Sequence, residues 1–118
     1  MLSAQLLDHF RNPRNVGELP PPAIAVEVTN PACGDILRLS ALVANGHATE
    51  VRYKVRGCTA SIAAGSALTE CLLETPVEAW PALKPEVMEH RLGGIPHESR
   101  HALALCMDAA KALYNRLP

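Results

Sequence analysis

Aromatic side chains are scarce in this chain: one Trp, two Tyr and one Phe make up 3% of its 118 residues. Bases of single-stranded nucleic acid are held largely by stacking on aromatic rings, so that mode of binding is not expected. A surplus of positive charge is lacking as well. Eleven Lys and Arg against twelve Asp and Glu leave a formal net charge of -1, which offers no footprint for a phosphate backbone. There is no block of like charge that would form a solvated tail. No apolar run approaches the ~20 residues of a membrane-spanning helix. The opening "MLSAQLLDHFRNPRNVG" is interrupted by Asp8 and His9 and has no basic leader, so it does not read as a secretory signal. Together these absences imply a cytoplasmic protein that works with neither nucleic acid nor membrane.

A chain of this length can bury a sufficient core without staples, and residues 1–118 read as one domain. Ser3 to Phe10 is expected as a short helix capped by Ser3, with Leu6, Leu7 and Phe10 as its apolar stripe and Asn12-Pro13 as its stop. His9 reads as a surface or capping residue. The proline-rich connector "NPRNVGELPPP" leads to an alternating strand from Ala23 to Thr29. A second strand spans Ile36 to Ala44 and a third Ala48 to Arg56. Asn45-Gly46 between them is a strong hairpin signal, because both central residues of a type I′ turn need positive φ. In the third strand Val51, Tyr53 and Val55 alternate with Arg52, Lys54 and Arg56, which predicts one buried and one wet face. Helices are expected from Cys58 to Leu73, over "PVEAWPAL", over "PEVMEHRL" and from Glu98 to Leu117. The fold class is therefore α+β: a three-stranded antiparallel sheet with helices packed on one face and a long C-terminal helix.

Four cysteines, Cys33, Cys58, Cys71 and Cys106, sit in a chain expected to be reduced, where separated thiols are buried filler, metal ligands or reactive groups. Cys58 follows Gly57 at the junction of a strand and a helix. There the unpaired N–H groups of the helix start favour a thiolate. Cys33 lies in "PACGD", a turn between strands, with Asp35 two residues on. Cys106 lies on the apolar side of the last helix. These three sulfurs and the carboxylate could converge at one end of the sheet on a soft metal, although no CxxC spacing says so. Cys71, nearly four helical turns from Cys58, reads as packing.

The stretches "DHFRNPRNVG", "NPACGD", "RGCTASIAAGSALTE" and the cysteine of "ALCMDAAKAL" together resemble, in the same order, the NifU/IscU/SufU-type iron–sulfur cluster assembly scaffolds. The resemblance runs from Gln5 to Leu117. It implies that Cys33, Asp35, Cys58 and Cys106 hold a transient [2Fe-2S] cluster, built from iron and from sulfur delivered by a cysteine desulfurase. The cluster would then pass to apo iron–sulfur proteins. Cys58 and Cys106 become the candidates to accept persulfide sulfur.

The chain also departs from the family's branches. IscU proteins carry His directly before the last cysteine, where this chain has Leu105. His101 lies five residues before Cys106, about 140° around a regular helix, and so is not expected to replace it. "SRHALALC" stands in place of the Leu-Pro-Pro-Val-Lys run read by a dedicated heat-shock chaperone, so that partner is not implied. The SufU branch lacks the histidine too and resembles a zinc protein ligated by three cysteines and an aspartate. The insertion of that branch is absent, because the Thr75 to Arg100 region is short. The alternative is thus a zinc-dependent sulfur relay that accepts persulfide from the desulfurase. A metal-free interaction module with a degraded site is a third reading.

Overall fold

The structure, a computed structural model, describes residues 2–31 and 34–118. Its elements are α1 (Ala4–Arg11), β1 (Ile24–Thr29), β2 (Ile36–Ala44), β3 (His47–Arg56), α2 (Thr59–Glu74), α3 (Pro85–Arg91) and α4 (His101–Asn115). Short 3-10 segments at Val77–Ala82 and His97–Ser99 precede α3 and α4. The strands form one antiparallel sheet in the order β1-β2-β3. Its second hairpin turns at Asn45 and Gly46, whose φ angles of 56° and 79° are those the Asn-Gly pair predicts.

Period-two alternation decides which face of the sheet is covered. Leu37, Leu39 and Ala41 of β2 and Val51 and Tyr53 of β3 are buried beneath α2 and α4. The opposite face carries Arg38, Lys54 and Arg56, with Arg38 held by Glu18 and Glu27 at 3.0 and 3.2 Å. The connector after α1 extends the sheet beside β3, where Asn15 and Gly17 exchange backbone hydrogen bonds with Tyr53.

Small side chains let α2 lie close on β3. A Cβ at Gly65 would fall 2.5 Å from Cε2 of Tyr53, so only glycine admits the ring at this depth. The Tyr53 hydroxyl reaches past it and donates to the carbonyl of Ile62 at 2.8 Å. Burial, with the nearby Cys106 adding to it, pushes the phenol up to about 12 and keeps it a donor.

Three local expectations are revised. The "PVEAWPAL" helix is a 3-10 segment, because Pro81 inside it has no N–H for an i to i-4 ladder. The last helix begins at His101 rather than Glu98, since the backbone after Pro96 first makes a 3-10 turn through Ser99.N→Pro96.O and Arg100.N→His97.O at 2.9 and 3.2 Å. His9 is buried, not on the surface: it follows Leu6 by three residues on the docked stripe, and its Nδ1 meets the Ser66 hydroxyl at 2.8 Å. Phe10 is the residue left outside, at 36% exposure.

Substituting Gly65→Ala tests the α2–β3 contact. Helix propensity alone would reward alanine by about 1 kcal/mol, whereas overpacking against a buried ring costs about 1–3 kcal/mol. The thermal midpoint is expected to fall. An unchanged or raised midpoint would mean that the contact yields.

Candidate metal centre

Three chain segments deliver side chains to one end of the sheet. The turn between β1 and β2 is closed by Asn30 N–H on the Asp35 carbonyl (2.9 Å) and Gly34 N–H on the Asn30 carbonyl (2.7 Å). Gly34 takes φ +75°, a left-handed value that glycine adopts without strain. Asp35 then turns its carboxylate inward, 7% exposed, against the backbone of Gly57. A Cβ at Gly57 would stand 2.8 Å from Cγ of Asp35, so the glycine makes room for the acid. Cys58 follows as the N-cap of α2, in extended conformation (φ -79°, ψ 173°), with an exposed side chain. His101 is the first residue of α4.

Ligand atoms of Asp35, Cys58 and His101 all lie within 4.8 Å of one another. Cys58 Sγ is 3.7 Å from His101 Nε2, and His101 Nε2 is 3.5 Å from Asp35 Oδ2. Metal bonds of about 2.0–2.3 Å in a tetrahedron place neighbouring ligands roughly 3.3–3.8 Å apart. The two distances made by His101 Nε2 therefore already match edges of such a site. The donor set suits a borderline ion such as zinc or iron, and one corner is left for a further ligand.

The electrostatics of the metal-free site shift Cys58 and His101 in opposite directions. Partial burial opposes ionisation of Cys58, but the Ser61 hydroxyl, the N–H groups of Ser61 and Ala60 and the His101 ring outweigh it and hold the thiol below its ordinary value. His101 is shifted upward, first by its hydrogen bond to Cys58, with burial opposing and the charges of Cys58 and Asp35 adding. Both shifts run in the direction that favours negative sulfur beside a positive ring.

Of the four residues expected at the site, the structure brings Asp35 and Cys58 together. Cys33 lies outside the described residues. Cys106 is 1% exposed, and burial, with Cys71 nearby, pushes its thiol up to about 12. Cys71 is likewise buried, 3% exposed. His101 is the residue the sequence reading set aside. Its offset of about 140° from Cys106 is the geometry that matters, because a helix whose Cys106 side packs into the core turns His101 away from that core and toward the sheet end.

The class these features define is a small α+β protein with a mixed sulfur, nitrogen and oxygen metal-ligand cluster at the end of its sheet. Residues 1–116 match the family described as NifU-like N-terminal domains. Curated relatives include the iron–sulfur cluster assembly scaffold protein IscU 1 of Archaeoglobus fulgidus, 32% identical over 94% of this chain and 72% of its own length. IscU of Haemophilus influenzae is 35% identical over 93% of this chain and 90% of its own. Among solved structures, a NifU-like N-terminal protein from Brucella abortus superposes with TM-score 0.75 over 96% of this chain and 91% of its own, at 17% identity. A SUF-system protein from Fervidobacterium islandicum gives 0.74 over 95% of each chain at 15% identity. At those identities the two structures bear on the fold alone. The chain belongs to the NifU-like N-terminal domain family.

Alkylation of the metal-free protein reads the thiols directly. Cys58 is expected to react with iodoacetamide with a midpoint below the ordinary thiol value of 9.0, while Cys71 and Cys106 stay protected until unfolding. His101→Ala should move the Cys58 midpoint upward. Equal reactivity of Cys58 and Cys106 in the folded protein would contradict the assignment.

Proposed function

We propose that this chain is an iron–sulfur cluster assembly scaffold, holding iron and sulfur as cargo on Asp35, Cys58, His101 and Cys33. The observation that carries this reading is the convergence of Asp35, Cys58 and His101 in a chain whose relatives are named as such scaffolds. Cysteine desulfurase as donor and apo iron–sulfur proteins as acceptors are the partners it implies, and the cytoplasm is where it would work. Among the described residues no helix is long and apolar enough to cross a membrane.

Cys58 is the described thiol suited to receive sulfur. It is exposed, and its environment favours the thiolate. The thiolate attacks the terminal sulfur of the donor's persulfide. A new S–S bond forms as the donor's S–S bond breaks, and the donor cysteine leaves as a thiolate, so that no external oxidant or reductant is required. Cys106, the other candidate acceptor, is buried, so this proposal puts Cys58 first.

A scaffold must release what it builds. A hard carboxylate and a neutral imidazole bind an iron–sulfur cluster less firmly than thiolates would, and His101 and Asp35 in the ligand set favour a cluster, of the [2Fe-2S] size, that leaves. The second reading, a zinc-dependent sulfur relay, is supported by the 3.7 and 3.5 Å that separate His101 Nε2 from the sulfur and the carboxylate, spacings that zinc ligands take. In that case zinc would hold Cys58 until the desulfurase engages it.

Anaerobic reconstitution with iron, cysteine and a desulfurase tests the proposal. Wild type and Cys106→Ala are expected to build a visible-absorbing cluster and pass it to apo-ferredoxin. Cys58→Ala should fail to build it, and Asp35→Ala, which lacks the hard oxygen ligand, should release its cluster more slowly than wild type. Stimulation of the desulfurase by zinc-loaded protein without any cluster would favour the relay. Undiminished assembly by Cys58→Ala would overturn both readings.

A further inference from the structure

Ser61 stands between two of the site's ligands without being one of them. It is the third residue of α2, 3% exposed. Its hydroxyl donates to Oδ2 of Asp35, and its Oγ lies 3.4 Å from Sγ of Cys58. A hydroxyl carries one proton and two acceptor lone pairs. The proton lies toward Asp35, and in the contact with Cys58 either atom can donate, so the hydroxyl bridges carboxylate and sulfur. The three groups form one hydrogen-bonded chain, Cys58 to Ser61 to Asp35, buried at its Asp35 end.

The carboxylate is fixed on two other sides. Gly57 lies against its Cγ, and His101 Nε2 is 3.5 Å from the same Oδ2 that Ser61 holds. Without the hydroxyl, nothing described on the α2 side keeps Oδ2 turned toward the sulfur and the imidazole. A ligating carboxylate that is free to rotate must be ordered when the metal arrives, and that ordering opposes binding.

We propose that Ser61 is a positioning residue that presets Asp35 as a metal ligand and couples its orientation to Cys58. The inference rests on the metal-site reading above and deepens it. Its distinguishing consequence is that Ser61 acts through Asp35, so removing the hydroxyl matters only while the carboxylate is present.

The test is a Co2+ titration of the metal-free full chain, with binding read from the cobalt d–d and sulfur-to-cobalt charge-transfer bands against a competing chelator. Ser61→Ala is expected to weaken Co2+ binding about tenfold or more while the thermal midpoint of the metal-free protein shows that it remains folded. Ser61→Thr, which keeps the hydroxyl, should restore most of the affinity. In an Asp35→Ala background the same Ser61→Ala change should have no further effect, giving a strongly non-additive cycle. An unchanged affinity in Ser61→Ala, or full additivity with Asp35→Ala, would overturn the role of Ser61. Absence of Co2+ binding by wild type would instead sink the metal-site reading beneath it.

Discussion

The carboxylate of Asp35 rests on the bare backbone of Gly57, and that contact locks the β1–β2 turn to the junction where β3 ends and α2 begins. Everything at the sheet end depends on it. Were residue 57 to carry a side chain, the turn could not close onto the junction, and Asp35 would be pushed from both Ser61 and His101. The position of the junction is itself set farther along α2, where Gly65 lets the helix settle onto Tyr53. Two glycines eight positions apart thus fix where a helix starts, and the helix start fixes where a thiol sits.

The chemistry follows from what those constraints bring into contact. Cys58 at an N-cap faces unpaired N–H groups, an imidazole and a hydroxyl, all of which favour negative sulfur. Cys106 meets the opposite environment, a packed core whose burial pushes its thiol up to about 12. The same side chain is thus exposed beside polar groups at one position and packed at another. Asp35, Cys58 and His101 offer three different kinds of donor atom, which suits the proposed release of cargo.

Much of this was readable in the sequence. Asn45-Gly46 announced the hairpin, and the alternation of Val51, Tyr53 and Val55 announced the covered face. The approach of Asp35 to Cys58 was expected from the turn after β1 and the strand–helix junction at Gly57. His101 was not, for two reasons. The start of α4 depends on a 3-10 turn after Pro96 that no periodicity reveals, and the cysteine in the same helix drew attention to its other side. The apolar stripe through Leu105, Cys106 and Ala109 was the available signal, since it places Cys106 with the core and His101 away from it. His9 was misread for a related reason: a polar residue on a helix stripe looks exposed until its partner, here Ser66, is found on another helix.

The central proposal is that His101, rather than Cys106, joins Asp35 and Cys58 in holding metal. X-ray absorption at the zinc K-edge of the zinc-loaded protein tests it most directly. Imidazole multiple scattering is predicted in wild type, lost in His101→Ala and retained in Cys106→Ala with the sulfur count unchanged. A drop in sulfur coordination on Cys106→Ala, with the spectrum of His101→Ala identical to wild type, would contradict the account.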